Sequence, residues 1–120
     1  MPNMDIQLQI DVGEARLGLD AAVPCGLIIN ELVTNALKHG FKGRQGTGQI
    51  RVTFTVGEDM ATLEVADSGV GLPEDFTPSG STSMGMDIVS VLAEQLDGTL
   101  RHRNEAGAVF SIEFPKGSIQ

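Results

Sequence analysis

Hydrophobic and polar positions alternate with period two in four stretches of the chain and with a helical rhythm in two. Ile6, Leu8, Ile10 and Val12 alternate with Gln7, Gln9 and Asp11, which predicts a half-buried strand. Gly13-Glu14 is a turn signal, and Ala15 to Leu19 reads as a short second strand. Asp20 can cap a helix start, with Pro24 in or near the first turn, where proline is tolerated. The helix then runs from about Ala21 to Lys38 and stops at Gly40.

Gly40 to Gly48 reads as a solvated loop; Lys38, Lys42 and Arg44 leave phosphate contact open as the alternative. Ile50, Val52, Phe54 and Val56 alternate with Arg51, Thr53 and Thr55, and Met60 to Ala66 puts Ala61, Leu63 and Val65 on one face. The short turn Gly57-Glu58-Asp59 makes these two an antiparallel hairpin. Leu72 to Ser83, rich in Pro, Gly, Ser and Thr, is a surface loop by composition. Met84 to Leu96 carries apolar residues at helical spacing and ends at Asp97-Gly98. Thr99 to Arg103 and Ala108 to Phe114 close the chain as a second hairpin. The simplest fold is α+β: two layers, a mostly antiparallel sheet with both long helices on one face.

A chain of 120 residues is naturally one domain, residues 1–120, and buries roughly two-thirds of its unfolded surface without a staple. The core must be aliphatic, helped by five Phe and five Met, because Trp and Tyr are absent. The formal charge of −8 argues against a nucleic-acid binder, which needs clustered Lys and Arg, but not against one nucleotide. Cys25 is the only cysteine, so no intrachain disulfide forms, and its apolar surroundings suit a small core residue. No apolar run reaches spanning length and the first residues lack a signal pattern, so a cytoplasmic domain without membrane contact is expected.

Three stretches carry candidate chemistry. On the first helix, Asn30, Glu31, Thr34, Asn35 and Lys38 fall on one stripe, with Glu31 and Asn35 one turn apart. Burying such groups costs free energy unless they are paired. A carboxylate, an amide oxygen and an ammonium together suit a metal ion with phosphates, and a solvated helix face is the plain alternative. Asp67-x-Gly69-x-Gly71 follows a strand end. An Asp there can accept a hydrogen bond from an exocyclic amino group, and the glycines let backbone approach a flat base; alone, it is an ordinary turn. Ser81-Thr82-Ser83-Met84-Gly85-Met86 leads into the second helix, whose free amides suit a phosphate, although Ser83 alone is only a cap.

Together and in this order, the three stretches resemble the Bergerat-type ATP-binding domain shared by gyrase, heat-shock chaperone, histidine kinase and mismatch-repair ATPases. More narrowly, the run from Pro24 to His39, with Asn30-Glu31-Leu32-Val33-Thr34-Asn35-Ala36 at its centre, is similar to the N box of bacterial sensor histidine kinases of the HWE and related groups. The resemblance covers about Ile6 to Pro115.

It implies a catalytic domain, cut from a larger kinase, that holds Mg-ATP and donates the γ-phosphoryl group to a histidine. That histidine would lie on a separate phosphoacceptor domain, with a response regulator downstream. It further implies that Asn35 holds magnesium, that Glu31 is the catalytic residue, at the position of the general base in the related ATPases, and that Lys38 reaches phosphate oxygens. His39 would lie near adenine or ribose. Asp67 would read the adenine amino group in a pocket shaped by Gly69, Gly71 and Leu72. Thr82, Ser83, Met84, Gly85 and Met86 would hold phosphates, and Leu72 to Thr82 would form a short lid.

The sequence departs from the family pattern in three ways. Ser81 and Ser83 stand where glycines are usual, Ala108 follows Gly107 where Thr is common, and no acceptor helix is present. His102, between Arg101 and Arg103, reads as surface-facing. Two other readings share the fold or the motifs: an anti-sigma-type serine kinase and a non-catalytic nucleotide-binding interaction module.

Overall fold

The computed structural model describes residues 4–13, 17–74, 76 and 86–116. Five strands form one sheet in the order β1-β2-β3-β5-β4. They are β1 (Met4–Asp11), β2 (Gly46–Val56), β3 (Met60–Asp67), β4 (Thr99–Asn104) and β5 (Ala108–Pro115). β1 runs parallel to β2, and every other pairing is antiparallel. Two helices complete the second layer, α1 (Leu19–Asn35) and α2 (Met86–Gln95). The α+β, mostly antiparallel architecture expected from the pattern is the one observed.

The core sits between the layers. Ile50, Val52 and Phe54 of β2, Leu63 and Val65 of β3, and Phe110, Ile112 and Phe114 of β5 are buried in one cluster with Ile28 and Leu32 of α1 and Val89 and Leu92 of α2. Period-two alternation sends Arg51, Glu64, Ser111 and Arg103 to the opposite, open face. Continued along β3, the same alternation puts Asp67 on the helix side after Leu63 and Val65. The register confirms it, because Asp67 pairs with Ile50.

α1 begins one residue before the expected cap. Gly18, which has no side chain to cap with, holds the cap position, and Asp20 lies in the first turn. Gly18 carbonyl instead accepts from the Ala21 and Ala22 amides at 3.1 and 2.8 Å. Pro24 is inside the helix and buried. The helical path continues past Asn35 as a π turn, Ala36–Gly40, so Gly40 is its last residue. Leu17 and Gly18 are not strand, and Leu19 is already helical; residues 14–16 of the expected second strand lie outside the described residues.

Two strand expectations are corrected by long-range pairing. β2 begins at Gly46, inside the expected loop Gly40 to Gly48, because Met4 to Gln7 of β1 supplies partners for Gly46 to Gln49. β1 itself is less buried than its pattern implied. Leu8 is 52 % exposed and Ile10 58 %, with Ile6 half-buried. They face the helix side, being paired with Ile50 and Val52, but among the described residues the main helix contacts with the sheet fall at β3 for α1 and at β4 for α2, away from the β1 edge.

The end of α2 shows a different local device. Asp97 adopts the left-handed conformation at φ 56°, and the Gly98 amide donates back to the Ala93 carbonyl at 2.9 Å. Gly98 is needed for a separate reason. A Cβ there would stand 3.0 Å from the Glu113 carbonyl oxygen and 3.1 Å from Phe114 Cβ. Met84 and Gly85, expected in this helix, lie outside the described residues.

Candidate nucleotide-binding site

Three segments distant in sequence meet at one end of the core. The C-terminal part of α1 with its π turn brings Leu32, Asn35, Ala36, His39 and Gly40. The end of β3 brings Val65 and Asp67. The turn after it brings Val70, Gly71, Leu72 and Pro73, and β5 brings Ala108 and Phe110. Together with Lys42 they line a cavity of about 250 Å³ with mostly apolar walls. That composition suits a flat aromatic base held by few polar groups.

Asp67 is held from two sides. Its Oδ1 accepts the Gly69 amide at 2.8 Å and the Ala108 amide at 3.2 Å. Among the described residues both hydrogen bonds to this carboxylate fall on Oδ1. Oδ2 points toward Gly40, where a Cβ would lie 3.1 Å from it. A carboxylate fixed in this way presents its second oxygen to an amino-group donor without having to reorganise.

Backbone approaches at Gly69 and Gly107 make that posture possible. A Cβ on Gly69 would collide with the Gly40 carbonyl, and one on Gly107 with the Asp67 carbonyl. The Gly40 carbonyl also accepts the Val70 amide at 2.7 Å, and Arg44 Nη2 donates to the Gly69 carbonyl at 3.4 Å. The turn after β3 is thus stitched to the helix end. π turns of this kind concentrate at functional sites, and this one carries Lys38 and His39.

Asn35 is buried at 7 % exposure, and its Nδ2 donates to Met86 Sδ at 3.9 Å. Met86 lies fully buried beneath it at the start of α2. Glu31 and Thr34 are half-buried, whereas Asn30 and Lys38 are exposed. Cys25 is a buried thiol in the middle of α1, and burial pushes its pKa up to about 11.

Asn35, His39, Asp67, Gly71 and Leu72 therefore open onto one cavity, with Gly69 buried behind its wall. Glu31, Lys38 and Met86 belong to the same helix ends but are not among the lining residues. Thr82, Ser83, Met84 and Gly85 lie outside the described residues. Sequence reasoning missed the Ala108 amide, Val70 and Phe110, and left Lys42 open between a solvated loop and a phosphate contact. At Ala108, which stands where the family commonly has Thr, the backbone amide reaches the carboxylate; no side-chain signature marks a backbone donor. His102 is exposed, as read, yet its ring stands edge-on to Phe76 at 5.1 Å between centroids.

This architecture matches known proteins. Residues 21–118 match the family described as histidine kinase-, DNA gyrase B-, and HSP90-like ATPase. The chain belongs to that family. Within it, the chain is 30 % identical over 112 residues to blue-light-activated histidine kinase 2 of Erythrobacter litoralis, a match covering 92 % of this chain and 32 % of the relative. It is 33 % identical over 104 residues to sensor histidine kinase PdtaS of Mycobacterium tuberculosis, covering 84 % of this chain and 21 % of that one. The chain thus spans a third or less of these relatives' lengths.

Solved structures agree. The Erythrobacter litoralis EL346 blue-light activated histidine kinase superposes with a TM-score of 0.83 at 27 % identity, covering 92 % of this chain and 35 % of that chain. A nucleotide-free catalytic domain of histidine kinase ThkA superposes with a TM-score of 0.72 at 26 % identity, covering 95 % of this chain and 79 % of that domain.

Proposed function

We propose that this chain is the single ATP-binding catalytic domain of a longer sensor histidine kinase. It would transfer the γ-phosphoryl group of ATP to a histidine on a separate phosphoacceptor domain, with a response regulator as the onward acceptor. The observation that carries this reading is that Asn35 and Asp67, from segments far apart in sequence, open onto one base-sized cavity.

In this reading the adenine ring enters between Leu72 and the α1 wall, and its amino group donates to Asp67 Oδ2. The Gly69 and Ala108 amides keep the carboxylate oriented. Asn35 oxygen and the Glu31 carboxylate are hard oxygen donors, the chemistry magnesium prefers, and no cluster of three or more His, Cys, Asp or Glu exists among the described residues. A site with few protein ligands fits an ion that keeps waters and shares phosphate oxygens. When bound, magnesium neutralises charge on the phosphates.

Asn35 would hold the ion. Glu31 would orient a bound water or take the acceptor's proton. Lys38 would reach phosphate oxygens, His39 the ribose side, and residues 82–86 the phosphates. The P–O bond to ADP breaks as a P–N bond to the acceptor imidazole forms, and most of the catalysis is positioning. No helix among the described residues is long and apolar enough to cross a membrane. A domain that consumes Mg-ATP is placed by this reading in the cytoplasm, working on its acceptor without touching membrane or nucleic acid.

The test mixes the domain with an acceptor helix segment and γ-labelled ATP. Acid-labile label on the partner is the expected result. Acid-stable label would make the chain a serine kinase. No transfer, despite ATP binding, would make it a nucleotide-binding interaction module.

A further inference from the structure

The site's far wall is held by a residue that belongs to none of the three nucleotide-binding stretches. Asn104, the last residue of β4, makes a two-bond clasp on the backbone of Leu72. Its Oδ1 accepts the Leu72 amide at 2.7 Å, and its Nδ2 donates to the Leu72 carbonyl at 2.9 Å. The carboxamide stands in for one residue of a neighbouring strand. Gly71 makes room for it: at φ 83° it carries no Cβ, and a Cβ there would lie 2.9 Å from Asn104 Oδ1.

Register extends the argument. Asn104 pairs with Ala108 across the hairpin, and the Ala108 amide donates to Asp67. One hairpin end therefore grips both sides of the base cavity, Asp67 through Ala108 and Leu72 through Asn104. A second grip lies one strand step back. His102 shares the face of Asn104, and the Phe76 ring rests edge-on against His102 and Phe110 at 5.1 and 5.9 Å. Phe110 itself lines the cavity.

We infer that Asn104 is a positioning residue for the nucleotide: it sets the gap between Leu72 and Asp67 and so governs affinity for the base, without touching it. The inference rests on the proposed nucleotide site. Loss of the clasp frees Leu72 to move away while leaving the phosphate side untouched, so base affinity and phosphate affinity should part company.

The experiment compares the wild-type chain with Asn104→Ala and Asn104→Asp. In Asn104→Ala, affinity for ATP and for adenosine should fall together by about five- to tenfold, the scale of one to two modest hydrogen bonds. Binding of magnesium tripolyphosphate should stay within about twofold. Amide exchange at Leu72 should accelerate while exchange at Val109, inside the β4–β5 ladder, stays as in wild type. Asn104→Asp keeps the acceptor for the Leu72 amide but sets an oxygen against the Leu72 carbonyl, so it should fall between the two. Unchanged adenosine affinity in Asn104→Ala would overturn the inference, as would an equal fall for adenosine and tripolyphosphate, which would mark general loosening. Failure of the wild-type chain to bind ATP would instead sink the nucleotide site itself.

Discussion

The two edges of the sheet teach different lessons about the same sequence pattern. β1 and β4 are both outer strands. On β1, Leu8 and Ile10 face the helix layer yet remain more than half exposed, because among the described residues the helices make their main sheet contacts at β3 and β4. On β4 the same side carries Leu100, packed against the core, and then the polar His102 and Asn104, both engaged by the stretch that follows β3. Leu8 and Ile10 add little to the core, whereas the polar end of β4 braces the cavity. Alternation reports which way a side chain points; what lies above it is decided by segments elsewhere in the chain.

Substitutions can break this contrast. The largest effect is expected at the centre of the sheet, where Ile112 is fully buried. Ile112→Ala should cost about 2–5 kcal/mol by chemical denaturation, while Leu8→Ala should cost less than about 1 kcal/mol, since half of its side chain is already solvated. Similar losses at the two positions would mean that β1 is covered in solution.

Gly69→Ala comes next. The added methyl must displace the Gly40 carbonyl, so the turn after β3 has to detach from the end of the π turn. A loss of about 1–3 kcal/mol is expected, together with weakened ATP binding. A stable variant that binds ATP normally would show that this close backbone approach is dispensable.

Asn35→Ala is expected to remove the magnesium dependence of ATP binding while costing less stability than Ile112→Ala, because it deletes a polar contact rather than a core side chain. Titration with and without magnesium checks it, and an unchanged magnesium response would contradict the proposed ligand.

The smallest effect concerns Cys25. Burial raises its folded pKa from 9.0 to about 11, so the neutral thiol is favoured in the folded state. The associated stability is full below pH 9 and is lost as pH climbs from 9 to 11. Iodoacetamide at pH 8 should label the folded chain far more slowly than the urea-unfolded chain, and Cys25→Ala should flatten the alkaline decline. Rapid labelling of the folded chain would contradict the burial.

Much of this was legible in the sequence, for identifiable reasons. The stripe on α1, the two hairpins and the helix-side placement of Leu63 and Val65 follow from short-range periodicity, and the order of the N box and the Asp67 loop marks the family. What stayed hidden depends on distant partners. The Gly46 to Gln49 run becomes strand only because β1 lies beside it. Asp20 is a good capping residue, yet the backbone at Gly18 starts the helix. Asn104 at a strand end has no pattern of its own, and its role exists only because Leu72 comes within reach. Ala108 contributes an amide that every residue except proline possesses.

The central claim is that Asp67, oriented by the Gly69 and Ala108 amides, reads the amino group of adenine in the cavity it shares with Asn35. Titrating wild type and Asp67→Asn with ATP and with GTP tests it most directly. An asparagine keeps the shape but can turn a donor toward the base, so ATP affinity should fall by about tenfold or more, while GTP, whose base offers an acceptor at that position, should lose little. Equal losses for the two nucleotides, or an ATP affinity that does not change, would contradict the account.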